Sequence, residues 1–202
     1  WIANDAQKRD RLDATKLADL IRMNRVHEVY YPDEEHRAVF KQVVQNYDDL
    51  TGQQARLKVK TKARLRVQGV IVRGKEVYSP EGRKPVLQQV RSTAAREMIR
   101  DLFDLLDEMQ KGQQRALRLM KRESRPYAEV KRFQEIPGVG LIGACRFSAY
   151  VQTPHRFSNK RKLWRYCGLG ITDRSSDGKP LGRKALDRNG NSRLKDMSDR
   201  AY

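Results

Sequence analysis

The 202-residue chain has two cysteines, Cys145 and Cys167, and no CxxC pair. That excludes a disulfide framework and a cysteine-rich zinc site, and leaves two buried, reduced thiols as the expectation. No stretch approaches the roughly 18 consecutive apolar residues that cross a bilayer. The opening residues WIANDAQKRD lack the apolar region of a secretory signal. Together these absences predict a soluble, cytoplasmic chain without a membrane partner. Hydrophobic residues reach only 38% against 34% charged, with a mean hydropathy of -0.84. So polar a chain suits long, solvent-washed helices better than a thick sandwich. His27, His36 and His155 have no ligand spacing with one another, and no internal repeat or low-complexity tract is present.

Acidic residues are scarce beside basic ones: 25 Asp and Glu against 43 Lys and Arg, a net charge of +18. The imbalance is uneven. Residues 1–55 carry 8 basic and 10 acidic side chains, whereas residues 56–202 carry 35 and 15. A field of this sign seeks polyanions, and nucleic acid is the partner it predicts. An anionic membrane would ask for an amphipathic helix with aromatic and leucine anchors, and none stands out.

A helix is expected from Asp13, as its N-cap, to about Met23, with Leu17, Leu20 and Ile21 on one face. A long helix follows from Glu34 to Gln68. Phe40, Val43, Tyr47, Leu50, Gln54, Leu57 and Thr61 recur along it at steps of three and four, a coiled-coil-like seam that favours a dimer or tetramer. From Arg56 to Arg66 the cations alternate at a period of two. Helix is still the reading, because no proline or turn cluster interrupts the run. Residues 69–89, broken by glycines and prolines, read as a loop or a small hairpin. A second long helix, from about Ser92 to Lys121, shows the stripe Met98, Leu102, Leu105, Met109, Ala116 and Met120. The two long helices are expected to pair antiparallel. The acids Asp101, Asp104, Asp107 and Glu108 follow helical spacing and read as a solvated face pairing with nearby cations.

The stretch from Glu135 to Ala144 (EIPGVGLIGA) contains GxGxxG. A dinucleotide site would need a strand before it and an acid about 20 residues later. Pro137 interrupts any strand, and no Asp or Glu occurs between Arg146 and Thr172. The alternative is a helix-hairpin-helix, with one helix ending near Phe133 and a second running from Leu141 to Tyr150. Gly138 and Gly140 then free the backbone for a sharp turn, and the first N–H groups of the second helix are aimed at one phosphate. A helix–helix turn packed inside the protein is the competing reading. The cations Arg146, Arg156, Lys160, Arg161, Lys162 and Arg165 weigh against it.

Three blocks carry a resemblance. The first is Lys8-Arg9-Asp10-Arg11-Leu12-Asp13-Ala14, followed by Leu17-Ala18. The second is Ile136-Pro137-Gly138-Val139-Gly140, followed by Arg156-Phe157 and Tyr166-Cys167-Gly168-Leu169. The third is Ser176 with Asn189-Gly190-Asn191 and Arg193-Leu194. In this order the chain resembles the DEDD-type insertion-sequence transposases related to the Piv DNA invertases, the bridge-RNA-guided serine recombinases.

The resemblance implies a mainly α architecture in three parts. Residues 1–30 would be the end of a RuvC-like α/β nuclease domain, residues 31–125 a long helical linker, and residues 126–202 a helix-hairpin-helix transposase domain. It implies that Asp10 and Asp13 are two of four acids binding Mg2+, and that Ser176 is the nucleophile, with Ser175 its rival on local sequence alone. Gly138, Gly140, Arg156, Lys160, Arg161, Lys162, Arg174, Lys179, Arg183 and Lys184 are the expected nucleic-acid contacts, the last four also candidates for steadying charge on the phosphate. The implied partners are insertion-element DNA, a guide RNA and further copies of the chain, in a nucleoid-associated bacterial protein. Only nine residues precede Asp10, so the expectation is that this polypeptide lacks half the metal site and cannot cut or join DNA alone. A non-catalytic nucleic-acid-binding protein is the alternative.

Overall fold

The computed structural model describes residues 10–26, 30, 35–176, 179–186 and 189–200. It is mainly helical, with eight α-helices and a single two-stranded sheet among the described residues. The chain divides into two compact units, Trp1–Asp33 and Glu34–Tyr202.

The first unit contains helix α1 (Asp10–Arg22). It stops where Asn24 adopts a left-handed φ of 51°. The Arg25 N–H then donates to the Leu20 carbonyl and the Asn24 N–H to that of Ile21, at 2.9 and 3.0 Å, the bond pair that closes a helix C-terminus. Asp13, expected as the N-cap, lies inside this helix. Asp10 is already helical, so Asp13 stands a turn past any capping position.

The second unit is organised by two long helices, α2 (Glu35–Val67) and α4 (Thr93–Glu123). They run antiparallel. Phe40 near the start of α2 shares a core with Met120 near the end of α4, and Leu65 shares another with Ile99. The period-two cation run is helical, as expected. Leu57, Thr61 and Leu65 turn inward while Arg56, Lys60, Arg64 and Arg66 remain exposed.

Two elements of this unit differ from the sequence expectation. The stripe on the second long helix holds at Ala116 and Met120, which are buried, but is displaced over the first half of the helix. Its core face is Ala95, Ile99, Phe103 and Leu106, whereas Met98 and Leu105 are exposed. α4 carries two adjacent apolar rows, and periodicity alone does not say which one meets α2. The segment 69–89 is not merely a loop: it contains helix α3 (Pro80–Gln89). Ser79 caps it by accepting the Gly82 N–H at 3.1 Å, and Pro80 occupies the first helical position, where a missing N–H removes no bond. Val70, Val77, Val86 and Val90 from this region complete the core around Phe103.

Arg83 of α3 grips α4 with two bonds of 2.6 Å to the Asp107 carboxylate, a third to the Tyr78 carbonyl, and its guanidinium over Phe103. The hydrogen bond from Arg83 holds the Asp107 carboxyl below its ordinary pKa. Glu108 pairs with Lys111 at 2.7 Å. These two acids therefore behave as the paired, solvated face that the sequence suggests.

Beyond α4 the chain folds back over the start of α2 as α5 (Ala128–Gln134), α6 (Leu141–Val151), α7 (Lys160–Tyr166), a hairpin of β1 (Ile171–Ser176) and β2 (Lys179–Leu186), and α8 (Ser192–Arg200). At the centre of this assembly Asp48 of α2 is 2% exposed. Its Oδ1 accepts Arg146 Nη2 and Nε at 2.6 and 2.9 Å, and its Oδ2 accepts the Tyr150 hydroxyl at 2.9 Å. Arg193 of α8 adds its Nε at 3.9 Å from Oδ2. One carboxylate thus joins three helices. Burial, reinforced by the neighbouring carboxylate, drives the Tyr150 pKa upward, so the phenol stays a donor.

Deleting that carboxylate takes its two closest acceptor contacts from the buried Arg146 and leaves it the more distant Asp196 carboxylate at 3.5 Å. Asp48→Ala is expected to lower the unfolding free energy by about 3–5 kcal/mol, measured by urea denaturation; a loss under about 1 kcal/mol would mean the pair contributes no more than a surface ion pair. Cys145 and Cys167 are buried and free, and burial pushes both thiols up to about 11. Neither should react with an aromatic disulfide reagent at pH 8, and both should react after unfolding.

Candidate nucleic-acid interface

The turn between α5 and α6 is set by one glycine. Gly138 has φ +82°, a left-handed value that other residues adopt only under strain, and the Val139 N–H closes the turn on the Ile136 carbonyl at 3.0 Å. Gly140 is different. As N-cap of α6 it has φ -81° and ψ 176°, ordinary extended backbone, and a Cβ there would meet open space. The freedom expected of both glycines belongs to Gly138 alone. At the start of α6 lies a cleft of about 580 Å³ whose lining includes Leu141, Arg146, Arg193 and Asp196.

The cations after the turn fall into two classes. Arg146 is committed to Asp48. Arg156 is sandwiched, its guanidinium 4.6 Å from the ring centres of both Phe157 and Tyr166, and it donates to the Tyr150 carbonyl. The Tyr166 hydroxyl donates to the same carbonyl at 3.1 Å. These two arginines serve the domain's own packing. Lys160, Arg161 and Lys162, in contrast, are exposed in the first turn of α7, together with Arg165 and a half-exposed Trp164. Lys160 Nζ lies 5.6 Å from the Trp164 ring. Trp164 lies two residues before the Tyr166-Cys167-Gly168-Leu169 block, and nothing in the sequence marks it as a surface residue. A short helix presenting four cations beside an indole suits a nucleic-acid backbone with a base face nearby.

Two of the sequence blocks meet in space. Gly168, at φ +75°, ends α7. Its N–H donates to the Arg165 carbonyl and the Leu169 N–H to that of Trp164, at 3.0 and 2.9 Å. Gly190 rests directly on this ending. A Cβ at Gly190 would overlap the Gly168 backbone and lie 2.7 Å from the Arg165 carbonyl. Asn191 completes the junction: its N–H donates to the Tyr166 carbonyl at 2.7 Å, and its Oδ1 caps α8 by accepting the N–H groups of Arg193 and Leu194.

From this junction the hairpin extends. Ile171 pairs with Leu186 at its base, both exposed, and the pair Ser176 with Lys179 ends the ladder. Ser176 is therefore the last residue of β1. Ser175 pairs with Pro180. The register shifts between Asp173 and Ser175, so Arg174 falls at the irregularity. Arg183 lies in β2, and Lys184, opposite Asp173, is exposed.

Asp10 and Asp13 belong to the other compact unit. They stand three residues apart in the sequence of α1. Among the described residues no group of three or more His, Cys, Asp or Glu forms a metal cage. Two carboxylates are nevertheless a donor set suited to Mg2+, which is commonly held by one or two carboxylates with water and substrate phosphate completing the shell.

Residues 130–197 match the Transposase IS116/IS110/IS902 family. The matched region covers about a third of the chain and contains the Gly138 turn, the exposed face of α7, the glycine junction and the whole hairpin. That similarity supports a transposase role, with DNA as the partner such a role implies. No curated protein matches the chain. No helix among the described residues is long and apolar enough to cross a membrane.

The glycine contacts make a contrast that can be measured. Gly190→Ala has to displace backbone on both sides and is expected to destabilise the fold by about 1–3 kcal/mol, the usual cost of overpacking. Gly140→Ala should leave thermal unfolding unchanged within error. Equal effects of the two substitutions would contradict the junction.

Proposed function

We propose that this chain is the DNA-breaking and DNA-joining part of an insertion-element transposase, with Ser176 as nucleophile and Asp10 and Asp13 as ligands of Mg2+. The observation that carries the reading is the transposase match over residues 130–197, which includes Ser176. The order of the three sequence blocks supports the finer assignment to the DEDD-type, Piv-related recombinases. On that assignment the first unit is the end of a RuvC-like domain, the turn at Gly138 is a helix-hairpin-helix, and a guide RNA takes part in target choice.

In this reading the α6 N-terminus and the cations of α7 hold the DNA backbone and fix its register. Ser176, closing the hairpin beside Lys179, meets the scissile phosphate. Its Oγ forms a bond to phosphorus as one bridging P–O bond breaks. The serine gives up its proton, and the departing strand takes one to leave as an alcohol. A hydroxyl from another strand reverses the exchange, restoring a phosphodiester and the free serine without an external energy source. Arg174, Lys179, Arg183 and Lys184 supply positive charge around that phosphate. Mg2+ held by Asp10 and Asp13 would polarise the phosphoryl oxygens.

The test uses the complete translated product of the gene, incubated with Mg2+ and insertion-element ends and resolved under denaturing conditions. A covalent protein–DNA adduct is expected, lost in Ser176→Ala while DNA binding stays within about twofold, and lost in Asp10→Asn with Asp13→Asn. An undiminished adduct in Ser176→Ala would remove that serine from the chemistry. Binding without an adduct in the unaltered protein would favour a non-catalytic nucleic-acid-binding role.

A further inference from the structure

Trp164 and Leu169 are 49% and 38% exposed at the end of a helix otherwise faced with cations. The way α7 closes brings them together. With Gly168 in the left-handed region, the Leu169 N–H bonds the Trp164 carbonyl and the Gly168 N–H that of Arg165. This closure commonly sets the residue after the glycine against the residue five positions before it. The other side of α7 is pinned. Tyr166, about 160° around the helix from Trp164 at 3.6 residues per turn, packs against Phe157 and bonds the Tyr150 carbonyl.

Cations flank the indole on both sides. Lys160 lies about 40° around α7 in one direction, and Arg161 and Arg165 about 60° and 100° in the other. All three are exposed. No Asp or Glu occurs between Glu135 and Asp173, so the sequence around α7 supplies no acid of its own. An apolar protein surface docking here would have to bury three charged groups, a cost that one indole and one leucine do not return. A polyanion neutralises them instead. It must also offer the ring an apolar face, which a nucleic-acid base does. Within a duplex both faces of a base are already stacked, so only an unpaired base has one to offer. Opening a pair costs about what one stack returns. The face of α7 therefore receives bases that are already unpaired and does not unpair them.

We propose that the Trp164 face of α7 binds single-stranded DNA, an unpaired base stacking on the indole while Lys160, Arg161 and Arg165 hold the phosphates beside it. This rests on the reading of α7 as part of the face that holds DNA, and it adds which form of DNA is held. The position suits a strand freed by cleavage. β1 leaves the end of α7 at Ile171 and carries Ser176 at its far end, six residues that span about 17 Å at about 3.3 Å per residue. A strand released at Ser176 has Trp164 within that reach. Stacking there keeps it from re-pairing with its complement before it is exchanged.

Trp1→Phe leaves Trp164 as the one indole of the 202-residue chain. Its fluorescence should be quenched by a single-stranded DNA oligonucleotide and change little with the duplex of the same sequence. Trp164→Ala should lower the preference for single strand over duplex about 5- to 150-fold, the equivalent of about 1–3 kcal/mol for one base–aromatic stack. General unfolding would lower both affinities and leave that ratio unmoved. Trp164→Phe, which keeps a ring, should restore most of the preference. Lys160→Ala with Arg161→Ala and Arg165→Ala should weaken both forms and flatten the salt dependence of each. Equal quenching by duplex and single strand, a preference untouched in Trp164→Ala, tighter binding of an RNA of matching sequence, or an indole that responds to anionic lipid vesicles and not to the oligonucleotide would overturn the proposal and leave α7 as a DNA contact. A triple variant that binds both forms as tightly as the unaltered chain would overturn the proposal together with the reading beneath it.

Discussion

The second unit depends on a single buried carboxylate. Asp48 sits on the long helix α2, yet its partners are Arg146 and Tyr150 on α6 and Arg193 on α8. A buried ion is costly unless its lone pairs are filled, and here both oxygens accept hydrogen bonds from residues about a hundred positions away. The transposase match begins at residue 130, so the carboxylate comes from outside the matched region while Arg146, Tyr150 and Arg193 all lie within it. The helical pair and the matched region are consequently one body. A second contact follows the same logic. Arg37 of α2 pairs with Glu129 of α5 at 3.1 Å, and Glu129 also accepts the Ser148 hydroxyl. Burial works to raise the Glu129 pKa, but its hydrogen bonds and Arg37 outweigh that and leave it lowered.

That rigidity gives the hairpin a fixed base. α7 ends at Gly168, Gly190 packs on that ending, and Asn191 starts α8 from the same point. The sequence blocks Tyr-Cys-Gly-Leu and Asn-Gly-Asn are thus two halves of one junction, and the strands carrying Ser175 and Ser176 leave and return through it. A hairpin with exposed Ile171 and Leu186 at its base gains little from its own burial. Its placement rests on the junction beneath it, which is where backbone packs on backbone.

Much of this was legible in the sequence. The long helices, their antiparallel pairing, the helical outcome of the period-two run and the two helices around Pro137 all follow from heptad spacing and turn chemistry. The inner row of α4 was not legible, because Met98, Leu102, Leu105 and Met109 form as regular a series as Ala95, Ile99, Phe103 and Leu106, and only the partner helix selects between them. α3 was hidden by Pro80, Gly82 and Pro85, read as breakers when Ser79 and Pro80 in fact start a helix. For the site, charge counting found the right region but not the direction of each side chain. Arg146 and Arg156 face inward, Lys160 to Lys162 outward, and no composition distinguishes them. Asp48 gave no signal at all, being one acid among ten in residues 1–55.

The buried carboxylate requires α2 and the matched region to open together. Native-state hydrogen exchange followed residue by residue in increasing urea tests this, because amides that share an opening converge on one free energy. Amides around Asp48 in α2 and around Arg146 in α6 are expected to merge into a single isotherm well below the unfolding midpoint. If the α6 amides instead exchanged freely while those of α2 stayed protected, the two would be separate bodies, and the buried carboxylate would not be what holds them.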